Sequence, residues 1–141
     1  LAPAIAAPGA RRAVVGLSEA GLDALSVAAP TTVIEVRDGA VVGERRVEPA
    51  ALGLVPGDSE ALKGGDAAEN LRRLRAILGG EERSPASEAV ALNAAAALYV
   101  AELAADLDAG IEAARAILDA GSALAILETL AQRSKELARD A

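Results

Sequence analysis

The sequence predicts an α/β fold in which a short buried strand and a β-hairpin pack against about four α-helices. Three observations carry this reading: an apolar run behind a Pro8-Gly9 break, two β-branched runs flanking Asp38-Gly39, and a change of apolar period after Pro49. At 141 residues a single domain is expected, with strand, hairpin and loops in 1–66 and a helical layer in 67–141. A chain of this size buries roughly two thirds of its unfolded surface.

Ala13–Leu17, AVVGL, is short and wholly apolar and reads as the buried strand. Thr31–Arg37, TTVIEVR, and Ala40–Glu48, AVVGERRVE, surround an Asp-Gly pair, which is the chemistry a two-residue hairpin turn demands. Glu48-Pro49 opens a single turn ending near Gly53, because proline is tolerated where the first helical N–H would go unbonded. After a loop containing Pro56, Gly57 and Asp58, helices are predicted over Ala67–Leu78, Pro85–Ala105, Leu107–Ala120 and Ala123–Ala138. Gly79-Gly80 and Gly121 mark two of the stops. Ser84, with Glu88 close behind, and then Asp106 and Ser122 sit where caps belong.

Composition narrows the chemistry. There is no Cys, so disulfides, iron–sulfur clusters and thiol nucleophiles are excluded. There is also no His, which removes the commonest general base and zinc ligand. The net charge of −7 repels nucleic acid, and Arg72, Arg73 and Arg75 beside Glu69 read as a solvated helix face. The apolar run Val90–Ala101 is interrupted by Asn93 and stops at Glu102, short of a membrane span. No secretion signal is legible, so no membrane partner is expected and a cytoplasmic location is. The first residue is not Met, which points to a longer gene product.

Four features have a bearing on function. In LKGGDAAEN, residues 62–70, Asp66 and Glu69 form a D-x-x-E capping box. A phosphate at that helix N-terminus would meet a carboxylate already in place, so capping is favoured over anion binding, although Lys63 could reach a more distant phosphate. Asp23 follows the first strand, where open α/β sheets place ligands, and could supply one carboxylate to magnesium; its alternative is a turn or cap residue. Asn93, inside an apolar helix, must find partners and reads as a packing tie to a loop carbonyl. Tyr99 reads as core with its hydroxyl at an edge.

GLDALS, PTTVIEVRDG, LKGGDAAEN and ALNAAAALYVA stand in an order and spacing that resembles the C-terminal part of anthranilate phosphoribosyltransferase, and the likeness extends to a last helix at ILETLAQRS. The resemblance implies a fold shared with some pyrimidine nucleoside phosphorylases and a homodimer. It also implies magnesium, phosphoribosyl pyrophosphate and anthranilate, in tryptophan biosynthesis. The family's pyrophosphate-cradling GTGGD loop and its KHGN segment do not occur here. Where the family has a histidine and an adjacent Asp-Glu pair that binds magnesium, this chain has Leu17, Asp23 and Ala24. The expectation is a fragment or reduced relative without a competent site when alone, no catalytic residue being assignable. The competing expectations are a non-catalytic self-association module and a nucleoside phosphorylase relative.

Overall fold

The structure is a computed structural model that describes residues 1–58 and 60–139. The described chain forms α1 (Ala2–Ala6), β1 (Arg12–Ser18), β2 (Thr31–Arg37), β3 (Ala40–Val47), a 3-10 turn at Pro49–Leu52, α2 (Ala67–Leu78), α3 (Pro85–Val100), α4 (Leu107–Asp119) and α5 (Ser122–Arg139). It divides into two compact units, Leu1–Lys63 with Ser84–Ala114, and Gly64–Arg83 with the described part of Arg115–Ala141.

The first unit is built on an antiparallel sheet in the order β1-β2-β3. The hairpin turns through Asp38 and Gly39 at φ 47° and 75°, the paired left-handed conformation that suits an Asp-Gly turn. Val36 pairs with Val41 and Glu35 with Gly43, which leaves Val42 as the extra residue of a bulge. The turn is tied down by the segment ahead of β1: Asp38 N–H donates to Arg11 C=O at 2.9 Å and Gly39 N–H to Ala10 C=O at 3.0 Å.

One face of the sheet packs Val14, Val33 and Val47 against Leu92, Ala95 and Tyr99 of α3 and Ile111 of α4. The other buries Val36 beneath Ala2 and Ala6 of α1. Small side chains allow close approach: a methyl group on Gly110 would lie 2.9 Å from Ala95 Cβ, so α4 starts almost against the α3 backbone. In the second unit Gly80, at φ 75°, lies where an added methyl would stand 2.8 Å from Leu118 C=O. None of the described residues of α5 is buried, and Ile126, Leu130 and Leu137 are 70%, 63% and 71% exposed.

Several expectations are corrected. The strand read as buried is an edge strand, half-buried from Arg12 to Val15 and exposed at Gly16 and Leu17, because only β2 pairs with it. The helix expected to reach Ala105 ends at Val100. Glu102 takes up a left-handed φ of 62° and Leu103 N–H reaches back to Leu98 C=O at 2.9 Å, a stop made without glycine. Ser84 caps α3 as expected, and Ser87 completes the box. Ser122 is already helical, and the Gly121 carbonyl accepts from Ala125 N–H at 3.4 Å. Helix α1 was not foreseen, since five small residues without a side-chain cap carry no periodic signal.

Candidate functional site

The segment between β1 and β2 is where a ligand-binding loop was expected, and it is held from both ends. Ser18, 3% exposed, accepts from Ala20 N–H through Oγ at 3.1 Å, and Glu19 N–H donates to Pro30 C=O at 2.9 Å. In its middle, Asn93 of α3 brackets Leu25: the Leu25 N–H donates to Asn93 Oδ1 at 3.0 Å, and Asn93 Nδ2 donates back to Leu25 C=O at 2.8 Å. The second Nδ2 hydrogen goes to Ala89 C=O at 2.9 Å, one turn earlier on the helix. Three of the four bonds available to the amide are thereby made, and the loop backbone is satisfied as if by a strand. Ser26 N–H donates to Thr31 Oγ1 at 3.2 Å, both residues being 1% exposed.

Asp23 lies on the exposed part of this loop beside the exposed Ala24, with no hydrogen bond or ion pair to any described residue. Glu19 is not its companion, because its carboxylate takes two bonds from Arg46, at 2.7 and 3.0 Å. Those bonds hold the Glu19 carboxyl below its ordinary range and raise the guanidinium. Arg46 also pairs with Glu48. No group of three His, Cys, Asp or Glu side chains able to share a metal ion exists among the described residues. The donor set among the described residues therefore does not amount to a magnesium site.

At the start of α2, Asp66 Oδ1 accepts from Glu69 N–H at 2.9 Å. The bond that closes the turn from the other direction comes from Asn70: Gly65 N–H donates to Asn70 Oδ1 at 2.8 Å and Asn70 Nδ2 donates to Gly65 C=O at 3.0 Å. A methyl group on Gly64 would lie 2.6 Å from Asn70 Oδ1, and one on Gly65 would strike the Glu69 carboxylate. The glycines thus make room for the helix's own side chains to fold back. Lys63 pairs with Glu60 at 2.5 Å.

Tyr99 anchors a polar cluster that sequence reasoning missed. Its hydroxyl donates to Glu35 Oε1 at 2.6 Å and accepts from Arg37 Nη2 at 2.9 Å, while Arg37 Nε donates to the same Glu35 oxygen at 2.7 Å. The Arg12 guanidinium lies over the ring, 3.8 Å from its centre, and 3.9 Å from Glu35. Burial works to raise the Glu35 carboxyl, but the hydrogen bonds from Tyr99 and Arg37 and the two nearby guanidinium charges outweigh it and leave it below its ordinary value. A signal existed: the register sets Arg12 opposite Arg37, next to Glu35 across the strand pair, and charges inside β-branched runs require partners.

These features belong to a recognised architecture. The model of the glycosyl transferase family a/b domain matches residues 1–124. An anthranilate phosphoribosyltransferase of Thermomicrobium roseum is 50% identical over 128 residues, which are 89% of this chain and 36% of the relative. The solved anthranilate phosphoribosyltransferase of Thermus thermophilus superposes with a TM-score of 0.76 at 37% identity, covering 84% of this chain and 34% of that one. The Saccharomyces cerevisiae enzyme in complex with PRPP and Mg shares the fold, with a TM-score of 0.70 at 24% identity over 83% of this chain and 33% of its own. The chain belongs to the glycosyl transferase family, and it spans about a third of the length of the curated relatives it matches.

Proposed function

We propose that this chain is the C-terminal portion of an anthranilate phosphoribosyltransferase, supplying the hairpin and helical layer of the α/β domain and unable to turn over by itself. The observation that carries the reading is 50% identity across nearly the whole chain to an enzyme of which it spans 36%. The helix termini support the second half of it. Among the described residues, Asp66, Ser84 and Asp106 each bond an early amide of α2, α3 and α4, so three helix N-termini that could face a diphosphate are already occupied by the protein's own side chains. Transfer from a ribosyl pyrophosphate requires fixed donors aimed at the developing charge, and on this reading they come from the part of the enzyme that the chain does not span. Magnesium, the homodimer, the cytoplasmic setting and the role in tryptophan biosynthesis come with the reading, as does a direct part for Asp23 once phosphate groups and further ligands are present.

Phosphoribosyl pyrophosphate, magnesium and anthranilate are mixed with the chain, and the loss of anthranilate fluorescence is followed. No loss is expected from the chain alone. Loss is expected after addition of the part of the Thermomicrobium roseum enzyme outside the matched residues, and appreciable turnover without that addition contradicts the reading.

A second reading, a self-association module, is favoured by the apolar stripe of Ile126, Leu130 and Leu137 on α5.

A further inference from the structure

The loop between β1 and β2 is tied at both ends and bare between them. Gly21 N–H donates to Ser18 C=O at 3.0 Å, and Ser26 N–H donates to Thr31 Oγ1 at 3.2 Å. Leu22, Asp23 and Ala24 make no hydrogen bond to any described residue. The direction in which Asp23 projects is therefore set at the two flanks, Gly21 and Leu25. Asp23 is also the loop's one uncommitted acid, because the only other acid in residues 18–30, Glu19, is held by Arg46.

At the Leu25 flank the backbone is set by Asn93. Oδ1 accepts from the N–H and Nδ2 donates to the C=O of the same residue, at 3.0 and 2.8 Å, so the planar peptides before and after Leu25 are both fixed in orientation. The first of these is the Ala24–Leu25 peptide, one residue from Asp23. The Leu25 side chain is buried with Val14 and Leu92, which anchors the residue but leaves its peptide planes to the amide. A third bond, from Nδ2 to Ala89 C=O at 2.9 Å, locks the amide on α3.

The helix itself does not call for an asparagine here. Its neighbours Ala91, Leu92, Ala95 and Ala96 are buried and aliphatic, and alanine is the better helix former. With two of its three bonds given to one loop residue, the side chain serves the geometry of the loop. Side chains that carry function are held true by supporting groups of this kind.

We propose that Asn93 is a positioning residue for phosphoribosyl transfer, clasping the Leu25 backbone so that the Asp23 carboxylate stands where substrate meets it. The proposal rests on the function proposed above and on the part given there to Asp23. A loop released at Leu25 samples further conformations, and substrate must select the competent one. The KM of the substrate that Asp23 meets then rises by the inverse of the competent fraction, whereas saturation restores the competent form and keeps kcat. A purely structural loss has the opposite signature: fewer active molecules lower the apparent kcat and leave KM unchanged.

The test uses Asn93→Ala and Asn93→Ser, each alone and combined with Asp23→Asn, assayed with the part of the Thermomicrobium roseum enzyme outside the matched residues. Alanine suits a helix already rich in it. Serine keeps a bond to the carbonyl one turn back while releasing both bonds to Leu25. Circular dichroism checks that each variant is folded, and amide exchange at Leu25 in the chain alone reads the release of the clasp. Exchange at Leu25 is expected to quicken in both variants. The KM of one substrate is expected to rise about fivefold or more with kcat kept within about twofold, and Asp23→Asn to raise the KM of that same substrate. On the Asp23→Asn background, Asn93→Ser is expected to add nothing, as two groups acting as one unit require. Unchanged exchange at Leu25, an unchanged KM, a fall in kcat alone, or full additivity with Asp23→Asn overturns the proposal and leaves the function standing. Failure of both variants to fold makes Asn93 a structural tie and overturns it as well. Absence of transfer from the complemented wild type overturns the function, and the proposal with it.

Discussion

At the scale of single residues, Glu35 is the group whose titration the fold most plainly controls. In the unfolded chain its carboxyl titrates at the ordinary value of 4.5, and in the folded chain it titrates lower. The native state therefore holds fewer protons between those two values. The stabilisation is complete above 4.5 and is lost as pH falls through the folded value. Glu35→Gln is expected to lower the urea midpoint at pH 7 and to converge on wild type as the solution is acidified through the folded value. A gap that persists unchanged to acid would mean that the charge on Glu35 does not matter. Asn93 makes the complementary point about legibility. That an amide in VALNAAAALYVA needs partners was clear from its surroundings, and the loop carbonyl it was expected to meet is that of Leu25. The identity of Leu25 could not be read, because the partners are 68 positions apart and only the packing of α3 on the sheet brings them together.

Elements with a local cause were legible in the sequence, and elements with a tertiary cause were not. The hairpin followed from Asp38-Gly39, which selects its own turn, and the ends of α2 and α4 followed from Gly79-Gly80 and Gly121. The stop of α3 was missed because Glu102 adopts a glycine-like conformation that no local preference announces. The edge position of β1 was missed because an apolar run carries no information about how many neighbours it has. The candidate site was legible only as scattered residues. Asp23 lies on the exposed loop after the strand while Glu19 is held by Arg46, and the side chain that bonds back to the turn ahead of α2 is that of Asn70 rather than Glu69. For α2 the expected result is that Asp66→Ala costs about 1 kcal/mol and frays the first turn, while Asp66→Asn, an equally good cap, restores most of it. Amide exchange at Glu69 and Asn70 reads the difference, and an Asn variant as weak as the Ala variant would contradict the capping account.

At the scale of the whole molecule, 52% apolar residues are spread over side chains too small to bury much area each, and part of that surface stays outside. Among the described residues no helix is long and apolar enough to cross a membrane, so the exposed stripe on α5 is not explained by a span. If it drives self-association, light scattering of the wild type will give a mass above the monomer's, and Leu130→Glu will return it to the monomer. Leu130 is 63% exposed, so the substitution leaves the helix intact. A monomeric wild type at high concentration would remove that reading. The chain also carries its own optical reporter. Tyr99 is its single aromatic side chain, and the hydroxyl is clasped by one carboxylate and one guanidinium beneath the stacked Arg12. All ultraviolet absorption from aromatic rings arises at that one position, so its near-ultraviolet dichroism follows the joint between sheet and helix without labelling, and no indole emission competes with the fluorescence of an aminobenzoate.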